Sequence, residues 1–209
     1  MLKKDLDEAL RHLKKDDNIS TLIKKFERPD FDAEDSYFKK DQNYFKVLTR
    51  YIIHQQISGI VARVIEGRFN SLFKSEMTPR KVLGLKDDSF KKSGISPQKI
   101  NYLKNLALKF IDGIVDPTNF PNMTDEEIRT HLVCVKGIGR WTADMFLMFT
   151  LHRPDVLPTG DLGIQKGFKK VFNLRYLPDA RKMEKLAMGW RPYRTLACMY
   201  LWKVADEDK

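Results

Sequence analysis

The chain has 209 residues, of which 42% are apolar, and its mean hydropathy is −0.45. No apolar run approaches the roughly 20 residues that a membrane-spanning helix needs, which excludes a helical membrane protein. The length suffices to bury a core in one large domain or in two small domains packed together. The formal net charge is +10, and on charge alone a solubilising lysine-rich surface and a surface that binds a polyanion such as nucleic acid are equally good interpretations.

Few residues are available for disulfides or metal ions. Cys134 and Cys198 each lie in an apolar helical pattern, so we interpret both as small buried side chains in a reducing compartment. Two cysteines are too few for a four-cysteine iron–sulfur cluster, and the four histidines show no ligand spacing. We therefore predict no metal site. The charged start at residues 1–5 is not a signal peptide, which predicts an intracellular protein.

Apolar residues recur at helical spacing within residues 1–42, which predicts two or three short amphipathic helices there. In that segment Tyr37 and Phe38 are interpreted as aromatic anchors of the core. From residue 43 a broader apolar pattern predicts a helix that ends at the sequence His54-Gln55-Gln56-Ile57-Ser58. Ser58 is the expected N-cap of the helix that follows.

Proline and capping residues mark the next helix starts. Thr78-Pro79 and Ser96-Pro97 each place a capping residue before proline, which is typical of a helix start. The second of these helices begins within the motif Gly94-Ile95-Ser96-x-x-Lys99-x-x-Tyr102-Leu103. Thr124 is followed three residues later by Glu127, a capping box that opens another helix. No strand-like alternation of useful length occurs, so the predicted fold class is all-α.

Two glycines interrupt the apolar pattern that follows this capping box. Lys136-Gly137-Ile138-Gly139 is predicted to form a hairpin between two helices, with Ile138 pinning the helices together. The second helix begins directly after the glycines, so its unpaired N–H groups and the positive end of its dipole favour a phosphate at the bare backbone. Lys136 and Arg140 add positive charge on either side. On this motif alone, a tight turn without a ligand stays the alternative.

A carboxylate follows in the segment Pro158-Thr159-Gly160-Asp161-Leu162-Gly163. Asp161 lies in a Pro/Gly turn just before another helical pattern, and taken alone it is most simply interpreted as the N-cap of that helix. Downstream, Pro178-Asp179 predicts a helix start, and Pro192 is expected to open the last helix. Asp144, within the second helix of the hairpin unit, is interpreted as a surface or structural residue.

Five motifs in this order resemble those of the helix-hairpin-helix DNA glycosylases, and most closely the DNA-3-methyladenine glycosylase II group. They are the junction at 54–58, the motif at 94–103, the hairpin, the segment with Asp161, and Trp190-Arg191-Pro192-Tyr193-Arg194 with Trp202. The resemblance implies a two-lobed all-α fold with a cleft between the lobes. Residues 43–152, with the helix-hairpin-helix at about 124–150, would form a central lobe, and residues 1–42 plus 153–209 would form the second lobe.

The resemblance implies an enzyme that extrudes a nucleotide from duplex DNA and hydrolyses the bond between base and sugar. Asp161 matches the catalytic position, where an ionised carboxylate stabilises oxocarbenium-like charge on the sugar and orients or deprotonates water. Family members that also cut the strand have a lysine two residues after the second hairpin glycine, and here that residue is Trp141. A monofunctional glycosylase without lyase activity, which leaves an abasic site, is therefore expected.

By the same resemblance Trp141, Trp202 and Met145 line the base pocket, with Met145 standing where the best-known member of the family has a tyrosine. Indole faces attract the cationic rings of N-alkylated purines such as 3-methyladenine and 7-methylguanine. The junction at 54–58 supplies the plug that fills the hole left by the extruded nucleotide, and Gln56 is preferred for it over Gln55 and Ser58. The DNA-binding residues expected at the hairpin are Lys136, Gly137, Ile138, Gly139, Arg140 and Thr142.

The expected partner is double-stranded DNA that contains alkylated bases. The protein is expected to be a monomer that neither associates with a membrane nor requires a cofactor. A monovalent cation at the hairpin backbone is the one ion that the resemblance leaves open. The protein would lie with the nucleoid in the cytoplasm of a prokaryote, or in the nucleus of a eukaryote. Two alternatives stay open: a helix-hairpin-helix protein that binds DNA or lesions without catalysis, and a glycosylase for uracil, mismatched thymine or oxidised purines.

Overall fold

A computed structural model describes residues 3–29 and 43–207, and the regular structure of these residues is entirely helical. The prediction of an all-α fold is confirmed. Two short 3₁₀ segments, Pro117–Asn122 and Met188–Trp190, accompany the α-helices. The α-helices are α1 (Lys3–Leu13), α2 (Asp17–Lys25), α3 (Tyr44–His54), α4 (Gly59–Asn70), α5 (Pro79–Leu83), α6 (Asp87–Lys92), α7 (Pro97–Ile111), α8 (Asp125–Val133), α9 (Arg140–Phe149), α10 (Leu162–Val171), α11 (Ala180–Leu186) and α12 (Arg194–Asp206).

The described residues fall into two compact units, a central unit of residues 43–143 and a terminal unit that combines residues 3–29 with residues 144–207. The predicted lobes change at residue 152, so the structure places residues 144–152 in the terminal unit instead. The aromatic packing of α9 accounts for this difference, because Phe149 stacks on Trp202 of α12 with the ring centroids 5.8 Å apart. The predicted core anchors Tyr37 and Phe38 lie outside the described residues.

Side-chain caps begin many of the helices at the predicted positions. Thr124 and Glu127 make both hydrogen bonds of the capping box at the start of α8. The last helix begins at Arg194, two residues after the proline that was expected to open it. A side-chain cap such as that of Thr124 contributes about 1 kcal/mol to helix stability. The other predicted caps, each accepting a hydrogen bond from the backbone N–H three residues later, are Ser58, Thr78, Ser96 and Asp179.

In the central unit, α7 packs against both α3 and α5. Phe45 of α3 meets Phe110 of α7 edge to face, with the ring centroids 5.2 Å apart. The packing also brings the first turn of α7 to the end of α3, where the Lys99 ammonium reaches the Ile53 carbonyl at 2.7 Å. The buried face of α7 consists of Ile100, Leu103, Leu106 and Ala107.

In the terminal unit, α12 is buried on most sides and packs on α10 and α2. Cys198 of this helix is buried, as predicted, and its apolar surroundings raise the pKa of its thiol. Cys134 of the central unit is exposed, contrary to prediction, because it is the C-cap residue of α8 and lies past the buried face of that helix. Among the residues described, no helix is long and apolar enough to cross a membrane.

The segment at 190–194 fixes the loop that leads toward Asp161. Arg194 is only 7% exposed, and its Nε donates to Asp155 Oδ1 at 2.6 Å. The Thr195 hydroxyl donates to the Arg153 carbonyl and accepts from the Val156 N–H. Removing one partner would leave the other charge uncompensated in a largely buried place, so these contacts tie the loop to the start of α12.

Candidate functional site

The predicted hairpin between α8 and α9 is present in the central unit. Gly137 has φ +86°, a conformation that strains any residue with a Cβ, and an added Cβ would overlap the Tyr102 ring. Ile138 is 4% exposed and packs inward as predicted. The Lys136 N–H donates to Asn105 Oδ1 at 2.8 Å. Two side chains of α7, Tyr102 and Asn105, therefore support the hairpin.

The start of α9 presents hydrogen-bond donors beside this hairpin. In the first turn of the helix the Ala143 N–H donates to the Gly139 carbonyl, and backbone N–H groups at a helix start have no acceptor earlier in the same helix. Lys136 is exposed, as expected for a phosphate contact. Arg140, the second expected cation, pairs with both oxygens of Glu126 at 3.0 and 3.1 Å, which lowers the pKa of that carboxyl. Since this ion pair is exposed, it is worth about 0–1 kcal/mol, and a phosphate could compete for the guanidinium.

The side chain of Thr142, a predicted DNA contact, is buried beside Gln55. Thr142 is 3% exposed, and its hydroxyl lies 3.5 Å from Gln55 Nε2. Gln55 itself donates from Nε2 to the Gly137 carbonyl at 2.8 Å. Thr142 falls on the buried face of α9, so only its backbone N–H is left to meet a phosphate. The side chain of Gln55, the second plug candidate, is engaged with the hairpin.

The structure separates Gln56 from the other two plug candidates. The Ser58 hydroxyl accepts a hydrogen bond from the Val61 N–H as the N-cap of α4, so its side chain is engaged. Gln56 is exposed and has φ +57°. A left-handed backbone costs a residue with a Cβ about 1–2 kcal/mol, so the surrounding junction must hold Gln56 in this conformation. Gln56 and Ser58 are both exposed, but the Ser58 hydroxyl is engaged as a helix cap.

In the terminal unit, Asp161 is the N-cap of α10. Its Oδ1 accepts hydrogen bonds from the Ile164 N–H and from the Trp202 Nε1–H, both at 2.8 Å. The carboxylate thus caps a helix, which is the simpler interpretation of its sequence, and also contacts the indole predicted for the base pocket. Asp161 is half-buried, and charge-assisted hydrogen bonds of this kind fix the orientation of a carboxylate.

The contact between Trp202 and Asp161 depends on Gly163. A Cβ at residue 163 would lie 2.8 Å from Trp202 Cδ1 and 3.1 Å from Asp161 Oδ1. The first distance is shorter than real Cβ atoms show and the second is tighter than most, so a larger residue at 163 would force the indole to shift away from its place beside the carboxylate. The close packing of α10 on α12 is therefore part of the site.

One aromatic neighbour of the site is absent from the sequence predictions. Phe149 stacks on the Trp202 indole at an interplanar angle of 27°. Phe149 follows Met145 by four residues and Trp141 by eight on α9. This spacing places all three on one side of the helix, and it could have identified Phe149 from the sequence. Trp141 is 47% exposed, whereas Met145 is only 5% exposed.

The family of the chain follows from a comparison with known proteins. Residues 49–192 match the family model of the HhH-GPD superfamily base excision DNA repair proteins. The matched segment includes the plug candidates, the hairpin and Asp161. The chain belongs to this superfamily.

Individual proteins of this superfamily are similar to the chain over most of its length. The DNA-3-methyladenine glycosylase of Saccharomyces cerevisiae is 34% identical over 209 aligned residues, which cover 94% of this chain and 69% of the relative. DNA-3-methyladenine glycosylase 1 of Schizosaccharomyces pombe is 33% identical over 165 residues, 77% of this chain and 72% of the relative. The structure of the S. pombe 3-methyladenine DNA glycosylase Mag1 in complex with abasic DNA superposes with a TM-score of 0.79 at 30% identity, covering 95% of this chain and 96% of that one. The structure of the DNA-3-methyladenine glycosidase of Bacillus halodurans has the same TM-score and identity, and the alignment covers 94% of this chain and 88% of that one.

Proposed function

We propose that this chain is a monofunctional DNA glycosylase that hydrolyses the bond between an N-alkylated purine and its deoxyribose in duplex DNA. The observation that carries the proposal is the Asp161 carboxylate, held 2.8 Å from the Trp202 indole nitrogen at the start of α10. This arrangement pairs an anion, which stabilises positive charge on a sugar, with an aromatic ring, which attracts a cationic base. The names of the relatives, DNA-3-methyladenine glycosylases, support the same class of substrate.

The proposed reaction uses few groups. As the bond between the base and C1′ breaks, oxocarbenium-like charge develops on the sugar, and the Asp161 carboxylate stabilises it. A water molecule oriented by the same carboxylate adds to C1′ and gives its proton to Asp161. A base that already carries positive charge leaves as a neutral molecule, so no strong general acid is required. Trp202 keeps the carboxylate oriented, and Phe149 supports the indole.

The hairpin and the junction are proposed to hold the DNA. A phosphate would meet the N–H groups at the start of α9, beside the bare backbone of the hairpin and the exposed Lys136. Gln56 would fill the space that the extruded nucleotide leaves. Trp141 stands where strand-cutting members of the family carry their lysine nucleophile, so the product is an abasic site in an intact strand. The pocket role of Trp141 and Met145 stays a prediction.

Release of free base is the direct test of this function. The purified protein is incubated with methylated duplex DNA in the presence of a chelator, and the released bases are identified by mass spectrometry. We expect 3-methyladenine and 7-methylguanine, and strands that break only after alkali treatment. Strand breaks before alkali would contradict water as the nucleophile. Tight binding to lesion DNA without released base would favour a DNA-binding protein without catalysis. Oligonucleotides with uracil, mismatched thymine or oxidised purines test the alternative of a glycosylase for another damaged base.

A further inference from the structure

The motif that begins at Gly94 has no part in the chemistry proposed above, yet it reaches the plug junction. The Lys99 ammonium donates hydrogen bonds to the carbonyls of Ile53 at 2.7 Å and Gln55 at 2.8 Å. These carbonyls lie at the C-terminal end of α3, where a helix has no backbone donors left to offer them. Lys99 therefore fixes the end of α3 immediately before Gln56.

Gln55 extends this connection to the hairpin. Its backbone carbonyl is bound by Lys99, while its side chain donates to the Gly137 carbonyl at 2.8 Å. Tyr102, three residues after Lys99 on α7, lies against Gly137 from the same helix. The residue before the plug and the hairpin are thus joined by direct hydrogen bonds within the central unit.

The junction is also open to solvent on one side. An open hollow lies beside it, lined by Ile53, Gln55, Gln56, Ile57 and Lys99, among other residues. The left-handed backbone of Gln56 persists only where its surroundings determine it. Partial burial lowers the pKa of the Lys99 ammonium, and a partly desolvated donor makes stronger hydrogen bonds than one in water.

We propose that Gln55 and Lys99 are positioning residues that hold the plug residue Gln56 at a fixed place relative to the hairpin, so that gripping the phosphate and filling the vacated space occur together. This inference rests on the proposed function. A misplacement of about 1 Å can lower a rate by about a hundredfold, so a loosened junction should slow extrusion strongly. A single strand leaves no hole in a base stack, so the positioning should matter for duplex DNA alone.

The experiment compares two variants with two matched controls. Gln55→Met and Lys99→Met remove the bracing donors at nearly constant size. Asn119→Leu removes a carboxamide bond to Asp116, and Lys104→Met removes an ammonium bond to Asp87, both elsewhere in the central unit. Single-turnover release of 7-methylguanine is measured on a duplex and on the single strand of the same sequence, together with thermal unfolding.

We expect Gln55→Met and Lys99→Met to release base from the duplex about tenfold more slowly, with the single-strand rate unchanged. The two controls should match wild type on both substrates. Lys99→Arg keeps donors for the α3 carbonyls and should restore most of the duplex rate. Equal losses on both substrates, or no loss on the duplex, would overturn the proposal. If Lys99→Met does not fold, Gln55→Met decides alone, because it leaves the α3 carbonyls bound to Lys99.

A readout without chemistry keeps this inference separate from the proposed function. A wild-type protein that releases no base would contradict the function itself. A fluorescent adenine analogue next to an abasic site in duplex DNA would then report how far the protein unstacks the neighbouring base. We expect a smaller fluorescence change with Gln55→Met than with wild type or Asn119→Leu, and an identical change would refute the positioning role.

Discussion

The regions around Asp161 and around the hairpin are assembled in different ways. Asp161 is positioned by its own helix start and by an indole from α12, both within the terminal unit. The hairpin offers backbone groups, and it is held by side chains 31 and 82 residues away in sequence, Asn105 and Gln55. In the proposed function, the first region supplies charge for a chemical step, and the second supplies shape for binding. Substitutions should accordingly separate turnover from DNA binding.

The strongest test of this separation is Asp161→Asn. Asparagine is as good an N-cap as aspartate, so α10 should stay intact, but the negative charge is lost. We expect base release to fall by roughly 10²–10³-fold, which is typical for the loss of one preorganised electrostatic contact. Affinity for an abasic-site duplex should be retained, as measured by fluorescence anisotropy.

The control for this prediction is Asp179→Asn, which makes the same change at the N-cap of α11. It should alter neither turnover nor the unfolding temperature. If Asp161→Asn kept near-normal turnover, the carboxylate would be a helix cap only, and the contrast between the two regions would disappear.

The reverse outcome is expected for Gly137→Ala in the hairpin. The positive φ costs alanine about 1–2 kcal/mol, and the new Cβ must displace the Tyr102 ring at a further cost of about 1–3 kcal/mol. We therefore expect the free energy of unfolding to drop by roughly 2–5 kcal/mol, and duplex binding to weaken more than tenfold. Gly113→Ala isolates the backbone cost, because φ there is +70° and no atom lies within 4 Å of the added Cβ. Equal losses in the two variants would show that Tyr102 does not support the hairpin.

Trp202→Phe tests how far the region around Asp161 depends on orientation. Phenylalanine keeps an aromatic ring but cannot donate to Asp161, and a hydrogen bond to a charged group is worth about 1.5 kcal/mol or more. We expect kcat to fall about tenfold with little change in KM.

Trp190→Phe is the matched control for this substitution. Trp190 also donates from its indole nitrogen to a carboxylate, that of Asp16, which is not a residue of the site. The substitution Trp190→Phe should lower the unfolding temperature and leave kcat unchanged. A similar loss of kcat in both variants would mean that Trp202 acts through stability alone.

The same contrast explains which features the sequence could predict. The caps at Ser58, Thr124 and Asp161 depend on residues within four positions, so local patterns sufficed to place them. The burial of Thr142 and the ion pair of Arg140 depend on how distant helices pack, and no local pattern records that. The change of unit between residues 143 and 144 falls inside a continuous helix, where the sequence has no breaker to mark it. Sequence therefore predicted the local helix cap at Asp161 better than the surroundings of the hairpin.

The smallest expected effect concerns the charges at the hairpin. Lys136→Ala should weaken duplex binding a few-fold and reduce the slope of log K against log salt by about 1, as expected for one lost phosphate contact. Turnover at saturating DNA should not change, because the substitution leaves Asp161 untouched. Lys92→Ala, an exposed lysine on α6, is the control and should leave the slope unchanged.

Glu126→Gln tests whether Arg140 also contacts DNA. It weakens the pairing of Arg140 with residue 126, so the guanidinium can turn to a phosphate, and the salt slope should steepen. If the slope responds to Lys136→Ala but not to Glu126→Gln, Arg140 belongs to the support of the hairpin and not to its DNA contacts. If neither substitution changes the slope, the hairpin grips DNA through backbone N–H groups alone, and the division between a region of charge and a region of shape is complete.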